Sequence, residues 1–71
     1  MYNKLKKIRK EKGYSYNYIG SIIGITGTYY YLLEAGKRSL SYSNACKIAK
    51  IFNLKPDDIF YDEFISRLKA D

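Results

Sequence analysis

Hydrogen-bond donors and cations, rather than nucleophiles or general bases, are what this chain offers for chemistry. It contains no His and one Cys, Cys46, in 71 residues. The commonest general base, the commonest metal ligand and any thiolate pair are therefore missing. Asp57, Asp58, Asp62 and Glu63 form the one dense group of carboxylates. Two Asp directly after Pro56 fit the first turn of a helix, where they offset the helix dipole. No catalytic residue, metal site, cofactor or small-molecule ligand is expected. Between Ser15 and Tyr42 hydroxyls, an amide and cations recur, among them Tyr16, Asn17, Thr26, Thr28, Tyr29, Tyr31, Lys37, Arg38, Ser39, Ser41 and Tyr42. These types donate hydrogen bonds to phosphate oxygens and to base edges.

The charge balance points to the same partner. Lys and Arg number 13 against 7 Asp and Glu, and the excess is uneven: residues 1–50 carry a net +8 and residues 51–71 a net −2. A basic body with an acidic end suits a polyanion that touches one side of the protein. Nucleic acid and an anionic membrane both meet that description, but the apolar stretches are interrupted every few residues, so a membrane fits poorly and no membrane partner is expected. An unpaired Cys46 and the lack of an apolar signal core point to the reducing cytoplasm. The length leaves room for one small domain with a modest core and no large substrate pocket.

Five helices and no strand are needed to position these residues. Asn3 is placed to cap a first helix ending before Gly13, with Leu5 and Ile8 inward and Lys4, Lys6, Lys7 and Lys10 on a solvated face. Ser15 caps a second helix running to Ile23, and Thr26 caps a third that closes at Gly36. Ser41 or Ser43 caps the fourth, whose Ala45, Ile48, Ala49 and Phe52 form one apolar face and whose stop is Asn53. Pro56 starts the fifth, and Ile59, Phe60, Phe64, Ile65 and Leu68 carry its apolar spacing into an acidic tail helix over residues 61–71. Within this series, residues 16–35 have the spacing of a helix-turn-helix unit. Gly20 suits the close approach of two steeply crossing helices and Gly24 suits a turn with positive φ. The second helix of such a unit lies in the DNA major groove.

Arg9, Ser15, Ile19-Gly20, Ile23-Gly24-Ile25-Thr26, Glu34-Ala35-Gly36-Lys37-Arg38 and Lys47-Ile48-Ala49-Lys50 together resemble the Cro and phage-repressor (Xre-like) helix-turn-helix family of transcriptional regulators. The resemblance runs without gaps over roughly residues 4–60, which is more specific than a lone motif. It implies an all-α, five-helix lambda-repressor-like bundle over residues 1–60 that binds operator DNA, usually as a homodimer on a near-palindromic site, without a cofactor. Family members carry an Arg late in the first helix and a Glu at the end of the recognition helix. The matching residues are Arg9 and Glu34, which implies an ion pair here. The position matching Tyr16 holds a phosphate-binding Gln in the family.

Helix phase divides the third helix. Tyr30 and Leu33 fall in phase with Ile25 and point to the core, while Gly27, Thr28, Tyr31 and Leu32 project toward the groove as base readers. The family commonly bears Gln, Arg, Ser or Lys at the positions matching Gly27, Thr28 and Leu32. Here Gly27 offers only a close backbone approach and Leu32 only an apolar contact, so shape and water-mediated readout carry more weight. Tyr16, Asn17, Thr26, Tyr29, Lys37, Arg38, Ser39, Ser41 and Tyr42 are the expected phosphate contacts. Phe64, Ile65 and Leu68 leave an apolar stripe for which a dimer contact with a second copy is the economical explanation, the alternative being that it folds back on its own bundle. The leading reading is a small bacterial or phage repressor acting in the cytoplasm on the nucleoid. Two others stay open: a protein-interaction module, antirepressor- or antitoxin-like, that uses Tyr31 and Leu32, and a sequence-neutral architectural DNA binder.

Overall fold

The computed structural model describes the backbone of residues 2–70 and the side chains of residues 2–66. Five helices follow one another: α1 (Asn3–Lys12), α2 (Tyr16–Ile23), α3 (Gly27–Glu34), α4 (Tyr42–Ile51) and α5 (Pro56–Ala70). No strand occurs among the described residues. Three helices begin with the same device, a hydroxyl that accepts an orphan backbone N–H. Ser15 Oγ takes the Tyr18 N–H at 3.0 Å, Thr26 Oγ1 the Tyr29 N–H at 3.0 Å and Ser41 Oγ the Asn44 N–H at 3.1 Å. Each such cap contributes about 1 kcal/mol. Ser41, not Ser43, therefore starts α4.

The first helix departs from expectation. Asn3 is its first residue rather than its cap, Tyr2 holds the cap position and no side chain caps it. Tyr2 is buried, meets Phe60 edge-on with ring centroids 5.3 Å apart and donates its backbone N–H to the Glu34 carbonyl at 3.1 Å. Burying a large side chain is worth about 1.5–3 kcal/mol, more than a cap, so the ring decides where the chain enters the helix.

The corner between α2 and α3 is set by two glycines. Gly24 has φ +85° and ends α2, and the N–H groups of Gly24 and Ile25 both donate to the Gly20 carbonyl at 2.9 Å. A Cβ on Gly20 would lie 2.8 Å from the Ile25 carbonyl oxygen and 2.9 Å from that of Thr26. Backbone cannot move aside as a side chain can, so the crossing requires glycine there. Behind the corner, Leu5, Ile19, Tyr30, Ile48 and Phe60, one from each helix, are fully buried in a shared core. Asn53 turns the chain after α4 with φ +60°, a conformation Asn tolerates better than most residues.

Helix α5 continues through residue 60 without a break. Phe64 stacks on Phe60 at 6.0 Å and packs against the protein's own core. Ile65 is half-buried, and the Leu68 side chain lies outside the described residues. Beyond Phe60, Glu63 Oε1 accepts the Asn3 N–H at 3.2 Å. No helix among the described residues is long and apolar enough to cross a membrane.

Candidate nucleic-acid interface

A buried charge pair orients the third helix. Arg9 Nε donates to Glu34 Oε1 at 2.8 Å and Arg9 Nη2 to Glu34 Oε2 at 3.2 Å, a two-point contact between residues 7% and 4% exposed. Arg9 Nη1 also donates to the Tyr14 carbonyl at 2.9 Å, and the Tyr30 hydroxyl donates to Glu34 Oε1 at 2.9 Å. The pair is thus hydrogen-bonded on several sides, the condition a desolvated ion pair needs. The hydrogen bond to Glu34 raises the Arg9 pKa against the opposing effect of burial. Burial, reinforced by the Glu34 carboxylate, pushes the Tyr30 phenol far above its ordinary range, so its proton stays on the network.

The Tyr16 ring covers this network. The Arg9 guanidinium carbon lies 4.4 Å from its centroid, a cation–π contact, and the Tyr30 and Tyr31 rings lie 6.1 and 5.3 Å away. Tyr16 also lines two clefts. One is a crevice of about 330 Å³ between the starts of α2 and α3, walled by Ser15, Tyr16, Asn17, Gly27, Thr28 and Tyr31. The other is a smaller cleft of about 110 Å³ bounded by Lys6, Tyr16, Tyr31, Glu34 and Ala35. Two helix N-termini, each with spare backbone donors and a positive dipole end, open toward the first crevice.

Gly27 borders the crevice but presents no side chain to it. It is buried, and a Cβ there would collide with Asn17 Oδ1 and come within 3.0 Å of Asn17 Cα. As the first residue of α3 it also faces α2, and lacking a side chain it lets Asn17 seat against α3, so a larger residue there would displace Asn17. Thr28, Tyr29 and Tyr31 are exposed, Leu32 is half-buried, and Tyr30 and Leu33 are in the core. Thr28 and Tyr31 share the crevice with Asn17 and Tyr16. Thr26 and Ser41 are exposed, and each hydroxyl spends an acceptor lone pair on its cap while keeping a proton to donate. Lys37, Arg38, Ser39 and Tyr42 are exposed after α3, with Tyr42 at 71%.

Two participants were missed by sequence reasoning. Lys6, assigned to the solvated face of the first helix, borders the cleft beside Tyr16 and Tyr31. The Tyr14 carbonyl completes the Arg9 donor set. Nothing in one-dimensional spacing marks either, because both depend on how α1 packs across the α2–α3 corner. A separate apolar groove of about 440 Å³ lies between α2 and α4, lined by Tyr14, Tyr18, Ile22, Ile23, Ile51, Lys47 and Lys50, none of which lines the crevice above.

Known proteins agree with this geometry. A helix-turn-helix family model matches residues 5–59. The chain is 36% identical over 63 residues to YgzD of Bacillus subtilis (strain 168), described as an uncharacterized HTH-type transcriptional regulator, covering 89% of this chain and 96% of that protein. It is 39% identical over 61 residues to control protein C.MunI of a Mycoplasma species, covering 84% and 82% of the two chains. No solved structure matches. With five helices, a glycine-built corner at residues 20–24 and a family match across most of its length, the chain belongs to the Cro- and phage-repressor-like (Xre-like) helix-turn-helix family of DNA-binding transcription regulators.

Proposed function

We propose that the protein is a sequence-specific regulator, a repressor that binds a near-palindromic operator as a homodimer with α3 in the major groove. The observation that carries this reading is the crevice where α2 and α3 begin, in which Asn17, Thr28 and Tyr31 are grouped beside two helix N-termini. Thr28 and Tyr31 read base edges there, and Leu32 adds an apolar contact to a thymine methyl. Asn17, Thr26, Tyr29, Lys37, Arg38, Ser39, Ser41 and Tyr42 hold phosphates and set the register. The Tyr16 hydroxyl joins them at the first position of α2. Arg9 and Glu34 contact no DNA; they fix the angle at which α3 is presented. The names of the two relatives, a transcriptional regulator and a control protein, support a regulatory role.

Selection from a randomised duplex library at near-physiological salt, followed by sequencing, tests this. The expected result is an enriched inverted repeat with half-sites about one helical turn apart. Retention without enrichment, or no retention, overturns it. Arg38→Ala should then weaken specific and random DNA alike and reduce the steepness of the salt dependence by about 0.9 in the log–log slope.

A further inference from the structure

The aromatic cluster at the crevice assigns Tyr16 a second task, and we infer that it is the positioning residue for Tyr31. This rests on the reading of Tyr31 as a base-reading side chain. Tyr31 is 39% exposed. A tyrosine on an open helix face samples several χ1 wells, and a reader that samples them must be ordered when DNA arrives. Tyr31 is not free in that way. The Tyr16 ring meets it at 5.3 Å with the planes 61° apart, an edge-to-face contact of the kind that aromatic pairs prefer.

Tyr16 can act as a stop because the groups against it are themselves buried and hydrogen-bonded. On one side lies the Arg9 guanidinium, 4.4 Å from the ring, fixed by hydrogen bonds to both Glu34 oxygens and to the Tyr14 carbonyl. Near it lies the Tyr30 ring at 6.1 Å, anchored by its own hydroxyl to Glu34. The order of dependence is thus ion pair, Tyr16, Tyr31, running from the buried interior to the surface. Tyr16 and Tyr31 together form the partition between the two clefts, since both residues line both of them. A swing of Tyr31 would merge the crevice holding Thr28 and Asn17 with the cleft beside Lys6. Base preference at the position Tyr31 reads accordingly depends on a ring located on another helix.

The ring and the hydroxyl of Tyr16 are separable. Tyr16→Phe keeps the ring and removes the donor to phosphate; Tyr16→Leu removes the ring and keeps apolar bulk. The operator taken from wild-type selection, its single-base variants and random DNA are titrated against the wild type and each variant. The position that Tyr31 reads is the one whose discrimination is lost in Tyr31→Leu. Tyr16→Phe should leave that discrimination unchanged while weakening all DNA alike. Tyr16→Leu should reduce it about three- to tenfold, the range that an aromatic pair supplies, with random-DNA affinity no lower than in Tyr16→Phe. In the free proteins, χ1 couplings of Tyr31 should report one rotamer in wild type and Tyr16→Phe and an average in Tyr16→Leu. Should Tyr16→Leu lose its cooperative melt, Tyr16→Met replaces it in both measurements. Unchanged discrimination with a single Tyr31 rotamer in the ringless variant overturns the inference. If wild type enriches no sequence, the base-reading role fails, and the rotamer measurement alone still decides whether Tyr16 holds Tyr31.

Discussion

The α2–α3 corner and residues 61–66 of α5 both reach the surface, yet they are secured in different ways. The corner rests on a buried two-point ion pair, a tyrosine hydroxyl on the same carboxylate and two glycines whose positions tolerate no substitute without strain. Among the described residues beyond Phe60, Phe64 packs against the core and the Asn3 N–H makes an exposed hydrogen bond to Glu63. A surface that must present side chains to a rigid duplex at a fixed angle needs the first kind of support. The second kind is sufficient for a segment whose own packing need only avoid leaving apolar surface exposed.

The contrast predicts a graded series of losses. Glu34→Ala leaves the buried Arg9 guanidinium and the Tyr30 hydroxyl without their acceptor, and should cost about 3–5 kcal/mol in urea unfolding. Gly20→Ala forces a Cβ against two backbone carbonyls and should cost about 1–3 kcal/mol, read as a lower urea midpoint with an unchanged slope. Tyr30 makes the corner sensitive to base. Its folded pKa is raised above the unfolded value, which lies near 10. The unfolded chain therefore gives up this proton first. The contribution is complete below pH about 10 and declines as pH rises beyond it, by up to about 1.4 kcal/mol per unit. Melts across that range should show the decline, and Tyr30→Phe should show a shallower one. At the other end of the scale, Glu63→Gln should change stability by less than about 0.5 kcal/mol, because it touches only an exposed contact. A loss from Glu63→Gln as large as that from Gly20→Ala would erase the distinction between the two regions.

Much of the corner was legible in one dimension because its determinants are local. Ser15, Thr26 and Ser41 cap the residue three positions on, and Gly24 ends the helix it terminates, so each sits within one turn of what it controls. The Arg9–Glu34 pair spans 25 residues and came from the family resemblance, not from spacing. The misjudged residues are those whose role depends on a neighbour from another element. Gly27 falls on the outward phase of α3 and borders the crevice, but its second role, leaving room for Asn17 of α2, was not visible in spacing. Asn3 is a good capping type, but the adjacent Tyr2 ring is drawn into the core against Phe60 and sets the helix start. Tyr16 matches a phosphate-binding position, and its contact with Arg9 and Tyr31 appears only when α1, α2 and α3 are assembled. For the tail, apolar periodicity allowed either self-association or folding back; Phe64 packs against the protein's own core, and the Leu68 side chain lies outside the described residues.

The polar crevice at the start of α2 and α3 is the proposed DNA-contacting surface. Titrating the selected duplex into the isotopically labelled protein and following backbone amide resonances tests it most directly. The largest shifts are expected at Asn17, Thr28, Tyr31, Lys37 and Arg38, with Tyr61–Ser66 and the Tyr18–Ile22 groove nearly unmoved. Shifts centred on that groove or on α5, with Thr28 and Tyr31 unchanged, would contradict it.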